Sequence, residues 1–402
     1  MKTERILSNI SQAAELLKNG GLVAVPTETV YGLAGNGLDS AAVEKIYEVK
    51  GRPAVKPLSL MVPDEDAMER YCLHVPPQAH TLARRFWPGP LTIVLEAKEI
   101  VPAIVRAGGS TVGLRCPDHP MTLALLKEAG IPFAAPSANP SGEASPKTAD
   151  EVLRYFDGAI EAVCDGGPCG IGTESTLISM AAVPYRILRR GALGEDEIAD
   201  ALAADMQIVG LTGGSGSGKT TALRILGDRG ALLLDADAIY HELLENDRDM
   251  LDALSARFPS AVSGVAVDRK ALGSIVFADA SALQELNAIT HRYVVEEIRR
   301  RLRIHAMNGG TLAAIDAVEL HASGLDRLCT RTYAVLAPRE ARIRRIMARD
   351  GISEEAASRR LNAQKGDDYY INTCDIALLN DGDEAAFAAL CREKLMEDHI
   401  DG

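Results

Sequence analysis

Three groups of residues have types and spacings that suit phosphate chemistry. The tightest is Gly213-Gly214-Ser215-Gly216-Ser217-Gly218-Lys219-Thr220-Thr221, in which four residues separate Gly213 from Gly218. Glycines allow backbone N–H groups to turn inward around phosphate oxygens. A lysine at the end of such a loop reaches β- and γ-phosphates, and the hydroxyl after it suits Mg²⁺. These nine residues are therefore a candidate cradle for a nucleoside triphosphate, with Lys219 as its charge and Thr220 as a metal ligand. The second group is Asp235-Ala-Asp237, two carboxylates beyond an apolar run. Such a pair suits Mg²⁺ at Asp235 and proton acceptance from an attacking hydroxyl at Asp237. Asp237 also reads as an N-cap for a helix over 238–245. Asp316, closing the apolar run 311–315, occupies a position that often faces the metal in such loops.

The third group is spread through the first half. Lys50 and Arg52 end a helical stretch, Arg115 ends the run Val112–Arg115, and Ser137, Asn139 and Ser175 sit at further strand ends. Thr27 lies in Pro26-Thr-Glu-Thr-Val-Tyr-Gly32, and Arg189-Arg190 closes another strand. Guanidinium groups pair with carboxylate or phosphate, while hydroxyls and amides supply hydrogen bonds. Together these residues suit a nucleotide plus a small zwitterion.

The elements that must position them alternate between strands and helices. Ile6, Ile10, Ala13, Ala14 and Leu17 recur at helical spacing. Residues 22–25, 92–95, 112–115 and 176–178 read as strands, 41–49 as a helix, and 194–206 as a short closing helix. In the second half, strands at 208–212, 231–234, 311–315, 332–336 and 374–379 alternate with helices, including one long helix over 279–308. Arginines 339, 342, 344, 345 and 349, followed by residues 353–364, read as two short helices of a lid closing over phosphates. Both halves are α/β.

A chain of 402 residues suggests two domains, placed at 1–204 and 205–402. The net charge of −13 counts against a generally basic nucleic-acid binder. Seven scattered cysteines without a C-x-x-C pair fit a reducing compartment. No apolar run reaches membrane-spanning length, and the expected location is cytoplasmic with no membrane partner.

The first-half motifs Pro26–Gly32, Lys50-Gly-Arg52-Pro53, Pro88-Gly-Pro90, Ser137-Ala-Asn139 and Ser175-Thr176 resemble the threonylcarbamoyl-AMP synthase family, with its YrdC-like twisted α/β sheet. The resemblance implies conversion of L-threonine, bicarbonate and ATP to threonylcarbamoyl-AMP and pyrophosphate. That product serves tRNA modification, so tRNA or tRNA-modification proteins are expected partners. It implies that Lys50, Arg52, Ser137, Asn139 and Arg190 hold ATP, and that Thr27, Arg115 and Ser175 hold threonine. Lys50 and Arg52, with Mg²⁺, would neutralise the leaving pyrophosphate. The segment Pro57–Met61 is similar to the YciO-like branch.

The second half resembles dephospho-CoA kinase, on Gly210–Gly214 with the loop, Asp235-Ala-Asp237, Thr290-His291, Arg345 through Gly351, Gln364 and Asn380-Asp-Gly382. It implies a P-loop kinase fold with a parallel five-stranded sheet and a helical lid. It also implies phosphoryl transfer from ATP to the ribose 3′-hydroxyl of dephospho-CoA, with Asp237 as base, Lys219 and Thr220 serving ATP and Mg²⁺, and Arg345 and Arg349 in the lid. The chain departs from that family's pattern at Arg292 and Ala322, in the acceptor region. Alternatives are one active half beside a nucleotide-binding or RNA-binding half, or a kinase with another acceptor.

Overall fold

A computed structural model of the chain describes residues 2–263 and 266–395; the expected second domain's last residues, 396–402, lie outside them. Two compact units divide at Asp205 and Met206, with Met307–Gly309 grouped with the first.

The first unit is built on a ten-stranded mixed sheet. Its order is Glu4–Ile6, Ala162–Cys164, Val23–Val25, Gly32–Asn36, Phe133–Ala134, Ser59–Met61, Thr111–Arg115, Leu91–Glu96, Thr176–Ser179 and Arg186–Arg189. The helix Ile10–Lys18 starts where the Asn9 side chain accepts from the Gln12 amide, and it buries Ala13, Ala14 and Leu17. Ile6 does not belong to that helix, as its spacing suggested. It closes the first strand, opposite Cys164, because the Asn9 cap begins the helix only after it. Strand direction matters for the site. Thr111–Arg115 runs antiparallel to Leu91–Glu96, which runs parallel to Thr176–Ser179. The C-terminal Arg115 therefore arrives beside the N-terminal ends of the other two strands, where Gly89 and Ser175 lie.

The second unit carries a five-stranded, wholly parallel sheet in the order Leu232–Asp235, Leu312–Asp316, Gln207–Thr212, Arg331–Leu336 and Ile376–Leu379. The central strands read as apolar runs because they are covered on both faces. Val209, Leu211, Ala314, Tyr333 and Val335 pack with Ala222, Ile225 and Leu226 of the helix Lys219–Gly227. Between the first two strands of the sheet, the helices Ala236–Asn246, Arg248–Arg257, Arg269–Ala278 and Ala280–Met307 pack around their own core of Met250, Leu254, Phe258 and Leu286. The long helix spans Ala280–Met307. The arginine-rich segment forms Arg339–Asp350 and Glu354–Asn362, which pack through Ile343, Ile346, Met347 and Leu361.

Candidate active sites

In the first unit a cavity of about 550 Å³ opens among strand ends, lined by Arg52, Lys56, Arg115, Ser137, Ser175, Glu174 and Arg189 among others. The helix Ser40–Lys50 ends at Gly51, whose positive φ of 57° breaks the helix and sends Arg52 outward. Arg52 donates to the carbonyls of Lys56 (3.3 Å) and Pro57 (3.0 Å), which fixes the turn along the cavity. Arg115 is buried and aimed by its neighbours. Its Nη2 donates to Glu28 Oε1 at 2.7 Å and to Thr29 Oγ1 at 2.8 Å, and its Nε to Gly89 at 3.3 Å. Ser175 Oγ lies 2.8 Å from Thr92 Oγ1 and accepts from Arg189 Nη2 at 3.0 Å.

Several expected residues stand behind the cavity. Lys50 is buried, and its ammonium donates to the carbonyls of Ser137 and Asn139. Burial pushes it down to about 8, helped by the nearby Arg52 charge. Asn139 donates to the carbonyls of Pro140 (3.0 Å) and Glu143 (2.7 Å). The Thr27 hydroxyl donates to Val30 O at 2.6 Å and accepts from the Thr29 and Val30 amides, so it shapes the loop, while Thr29 touches Arg115.

Arg190 stands apart from the cavity lining in this structure. Its side chain is 87 % exposed and pairs with Glu195 at 3.3 Å. Arg189 lines the cavity instead, donating to the Ser175 carbonyl (2.9 Å) and pairing with Glu174. The strand Arg186–Arg189 shifts register between Ile187 and Arg189, which changes which arginine faces inward. Glu28 and Thr29, inside the Pro26–Gly32 motif, carried no role from the sequence, and of the pair Arg189-Arg190 it is Arg189 that lines the cavity.

In the second unit the phosphate loop leaves Thr212 at the C-terminal end of the central strand. Its bends need glycine: φ is +135° at Gly213, +76° at Gly216 and +110° at Gly218. A Cβ on Gly213 would stand 2.2 Å from the Val335 carbonyl oxygen. Side chains hold the loop carbonyls. Lys219 donates to Gly213 (3.0 Å), Arg342 to Ser215 (3.1 Å), Arg345 to Gly216 (3.1 Å) and Asn380 to Ser217 (2.8 Å). Gln364 clamps Ser215, accepting from its amide at 2.9 Å and donating to its hydroxyl at 2.8 Å. The first-turn amides of Lys219 and Thr220 have no intrahelical acceptor, and this helix end suits an anion.

Beside Lys219 stands Asp316, with the Asp235 and Asp237 charges close enough to act on it. Asp235 and Asp316 are register partners on adjacent strands, and Lys219 Nζ lies 3.8 Å from Asp316 Oδ1. Burial pushes Asp316 up to about 6, against the pull of Lys219. Its Oδ1 is buried without a hydrogen-bond partner. Asp235, not Asp237, caps the next helix, accepting from the Asp237 and Ala238 amides at 2.9 and 3.0 Å. The Asp237 carboxylate is thereby left out of the cap.

Arg349 also makes its contacts away from the loop. It donates to Asp350 at 2.7 Å rather than to the loop, because it lies one turn beyond Arg345 on the same helix. Arg342, unassigned from the sequence beyond its place in the arginine run, takes the loop contact.

A family model described as telomere recombination, covering Sua5, YciO and YrdC, matches residues 15–191, and the dephospho-CoA kinase model matches 207–386. The chain is 48% identical over 190 residues to threonylcarbamoyl-AMP synthase of Bacillus subtilis, covering 47% of this chain and 55% of that protein. It is 33% identical over 196 residues to a putative threonylcarbamoyl-AMP synthase of Mycobacterium tuberculosis H37Rv, covering 49% of this chain and 90% of that protein. It is 40% identical over 161 residues to dephospho-CoA kinase of Geobacter sulfurreducens, covering 40% of this chain and 82% of that protein. The chain spans about half the length of the first curated relatives it matches.

Proposed function

The first half of the chain belongs to the Sua5–YciO–YrdC family and the second half to the dephospho-CoA kinase family, and from that premise we propose a bifunctional enzyme. Residues 1–204 convert L-threonine, bicarbonate and ATP to threonylcarbamoyl-AMP and pyrophosphate. Residues 205–402 transfer the ATP γ-phosphoryl group to the 3′-hydroxyl of dephospho-CoA. The observation carrying this reading is that two anion sites of different build occur in one chain: an arginine-lined cavity, and a glycine loop facing carboxylates.

In the first site Arg115 receives the threonine carboxylate, with Glu28 and Thr29 fixing its fork. Ser175 orients the amino acid. Arg52, Arg189 and Ser137 face the nucleotide. Lys50 braces the Ser137–Asn139 turn and adds positive charge behind it. The carbamate oxygen attacks the α-phosphorus and pyrophosphate leaves, so catalysis is positioning and charge stabilisation.

In the second site Asp237 accepts the hydroxyl proton and Lys219 meets the charge on the transferred group. Bound Mg²⁺ supplies charge neutralisation at the phosphates. Thr220 and Asp235 would hold it, and the orphan Asp316 oxygen fits a metal-bound water. So few protein ligands suit Mg²⁺, which keeps waters and phosphates as the rest of its shell.

The test assays the whole chain twice: pyrophosphate release dependent on threonine and bicarbonate, and CoA formation from dephospho-CoA. Both are expected. Failure of either, with ATP still bound, would remove that half of the proposal. Transfer of the threonylcarbamoyl group to tRNA, with any partner proteins it requires, would follow from the first activity.

A further inference from the structure

Apart from both sites, the second unit lines up a thiol, an imidazole and a carboxylate. His321 Nε2 lies 3.4 Å from Cys374 Sγ. On the other side of the ring, His321 Nδ1 lies 3.4 Å from Asp326 Oδ2. Cys374 comes just before the strand Ile376–Leu379, and its neighbour Asp375 accepts from the amide and hydroxyl of Thr332, at the start of Arg331–Leu336. Since every strand of this sheet is parallel, the thiol stands at the end opposite the phosphate loop. It belongs to neither nucleotide site.

A nucleophile against a base, with the base held by a third group, is the arrangement that activates a side chain for attack. The surroundings say why activation would matter here. Cys374 is half-buried and packs with Tyr369 against Ala334, Leu336 and Tyr370. Burial pushes its thiol up, with the Thr373 and Thr332 hydroxyls pulling the other way and the Asp375 and Asp326 charges adding to the rise. An unassisted thiolate is therefore scarce, and a neighbouring base changes the rate of attack rather than duplicating an existing charge. Asp326 is fixed by the turn Leu325–Leu328, so the imidazole has one firm neighbour on each side.

We propose that Cys374 is a covalent modification site that forms mixed disulfides with small disulfide compounds, using His321 as base and Asp326 to orient it. As Sγ attacks one sulfur of the disulfide, His321 Nε2 takes the thiol proton. The new Sγ–S bond forms and the old S–S bond breaks. The departing thiolate then takes the proton from the imidazolium. Cys374 is oxidised to the mixed disulfide, and the released half of the reagent is reduced to a thiol, so no further oxidant is needed.

The experiment treats the full chain with 2-hydroxyethyl disulfide and follows each cysteine by mass spectrometry of digested samples. Cys169, also half-buried, is the internal reference. General-base assistance predicts that Cys374 reacts about tenfold faster than Cys169 in the wild type. His321→Gln should bring Cys374 down to the Cys169 rate, and Asp326→Asn should slow it less. Equal Cys374 rates in the wild type and His321→Gln would overturn the proposal. Cys391 is buried in the same unit and must stay unmodified in a folded variant. Should His321→Gln expose Cys391, the wild-type comparison decides alone, and a Cys374 no faster than Cys169 overturns the proposal.

Discussion

The two candidate sites are built from opposite materials. In the first unit the charge comes from side chains far apart in sequence, Arg52, Arg115 and Arg189, each delivered by a different element. In the second, one contiguous loop offers backbone amides, and its nearby arginines mostly point at carbonyls to shape it. The difference says where each site is fragile. A cage of side chains depends on charge and on the partners that aim it. A backbone loop depends on the conformations of its glycines and on one lysine.

Lys219→Ala is the sharpest break between them. It removes the charge assigned above to the transferred phosphoryl group, and CoA formation should fall about 10³-fold. Threonine-dependent pyrophosphate release should stay unchanged, and a parallel fall in both would show that the sites are not independent. Gly213→Ala adds one methyl against the Val335 carbonyl at a φ of +135°. It should also abolish most kinase activity, with about 1–3 kcal/mol of backbone strain visible as a lower unfolding midpoint.

The matching break in the first unit is Arg115→Ala. It loses charged hydrogen bonds and leaves Glu28, whose side chain is 12% exposed, without its partner. Loss of about 2–3 kcal/mol, roughly 10²-fold in kcat/KM for threonine, is expected from such a contact. Adding Glu28→Gln should restore stability but not threonine use. Recovery of both would mean that Arg115 is only a structural partner of Glu28.

How much of this was legible beforehand follows the same division. The glycine loop is one run of residues, so its pattern carries its own geometry, and Lys219 and Asp316 fell within reach as strand ends predict. The five parallel strands and the two arginine-rich helices were also readable from the residue pattern. The first site was readable as a set of residue types but not as a set of contacts. Glu28 and Arg115 meet across 87 residues, and no local spacing announces that. Asp235 rather than Asp237 became the cap because the helix starts two residues earlier than its apolar period suggested. Ile6 matched a helical period by coincidence, one strand before the helix.

The pH dependence of the two halves should diverge. Lys50 is pushed down to about 8, and a protonated Lys50 adds charge behind the nucleotide. Synthase kcat/KM should therefore fall as pH rises through about 8, up to tenfold per unit. For folding the sign is reversed. Between about 8 and the usual lysine value the unfolded chain binds more protons at this group, so it favours the folded state increasingly as pH rises. Asp316, pushed up to about 6, works through its carboxylate. Kinase kcat/KM should fall as pH drops through about 6, while this group's contribution to stability rises on acidification because the folded state binds the extra proton. Identical pH limbs for the two activities would break the distinction.

The smallest effect separates two adjacent arginines. Arg189 lies over Ser175 and Glu174 at the cavity wall, whereas Arg190 extends into solvent toward Glu195. A register shift in the strand Arg186–Arg189 decides which of them turns inward. Arg189→Ala should raise the synthase KM for ATP about tenfold, the loss of one partly solvated charged contact, since such contacts amount to roughly 1–1.5 kcal/mol. Arg190→Ala removes only an exposed ion pair, typically below about 1 kcal/mol, and should leave KM within about twofold. The reverse ranking would mean that ATP draws Arg190 into the cavity on binding, and that the inward face of this strand is set by the ligand rather than by the irregular register of the free protein.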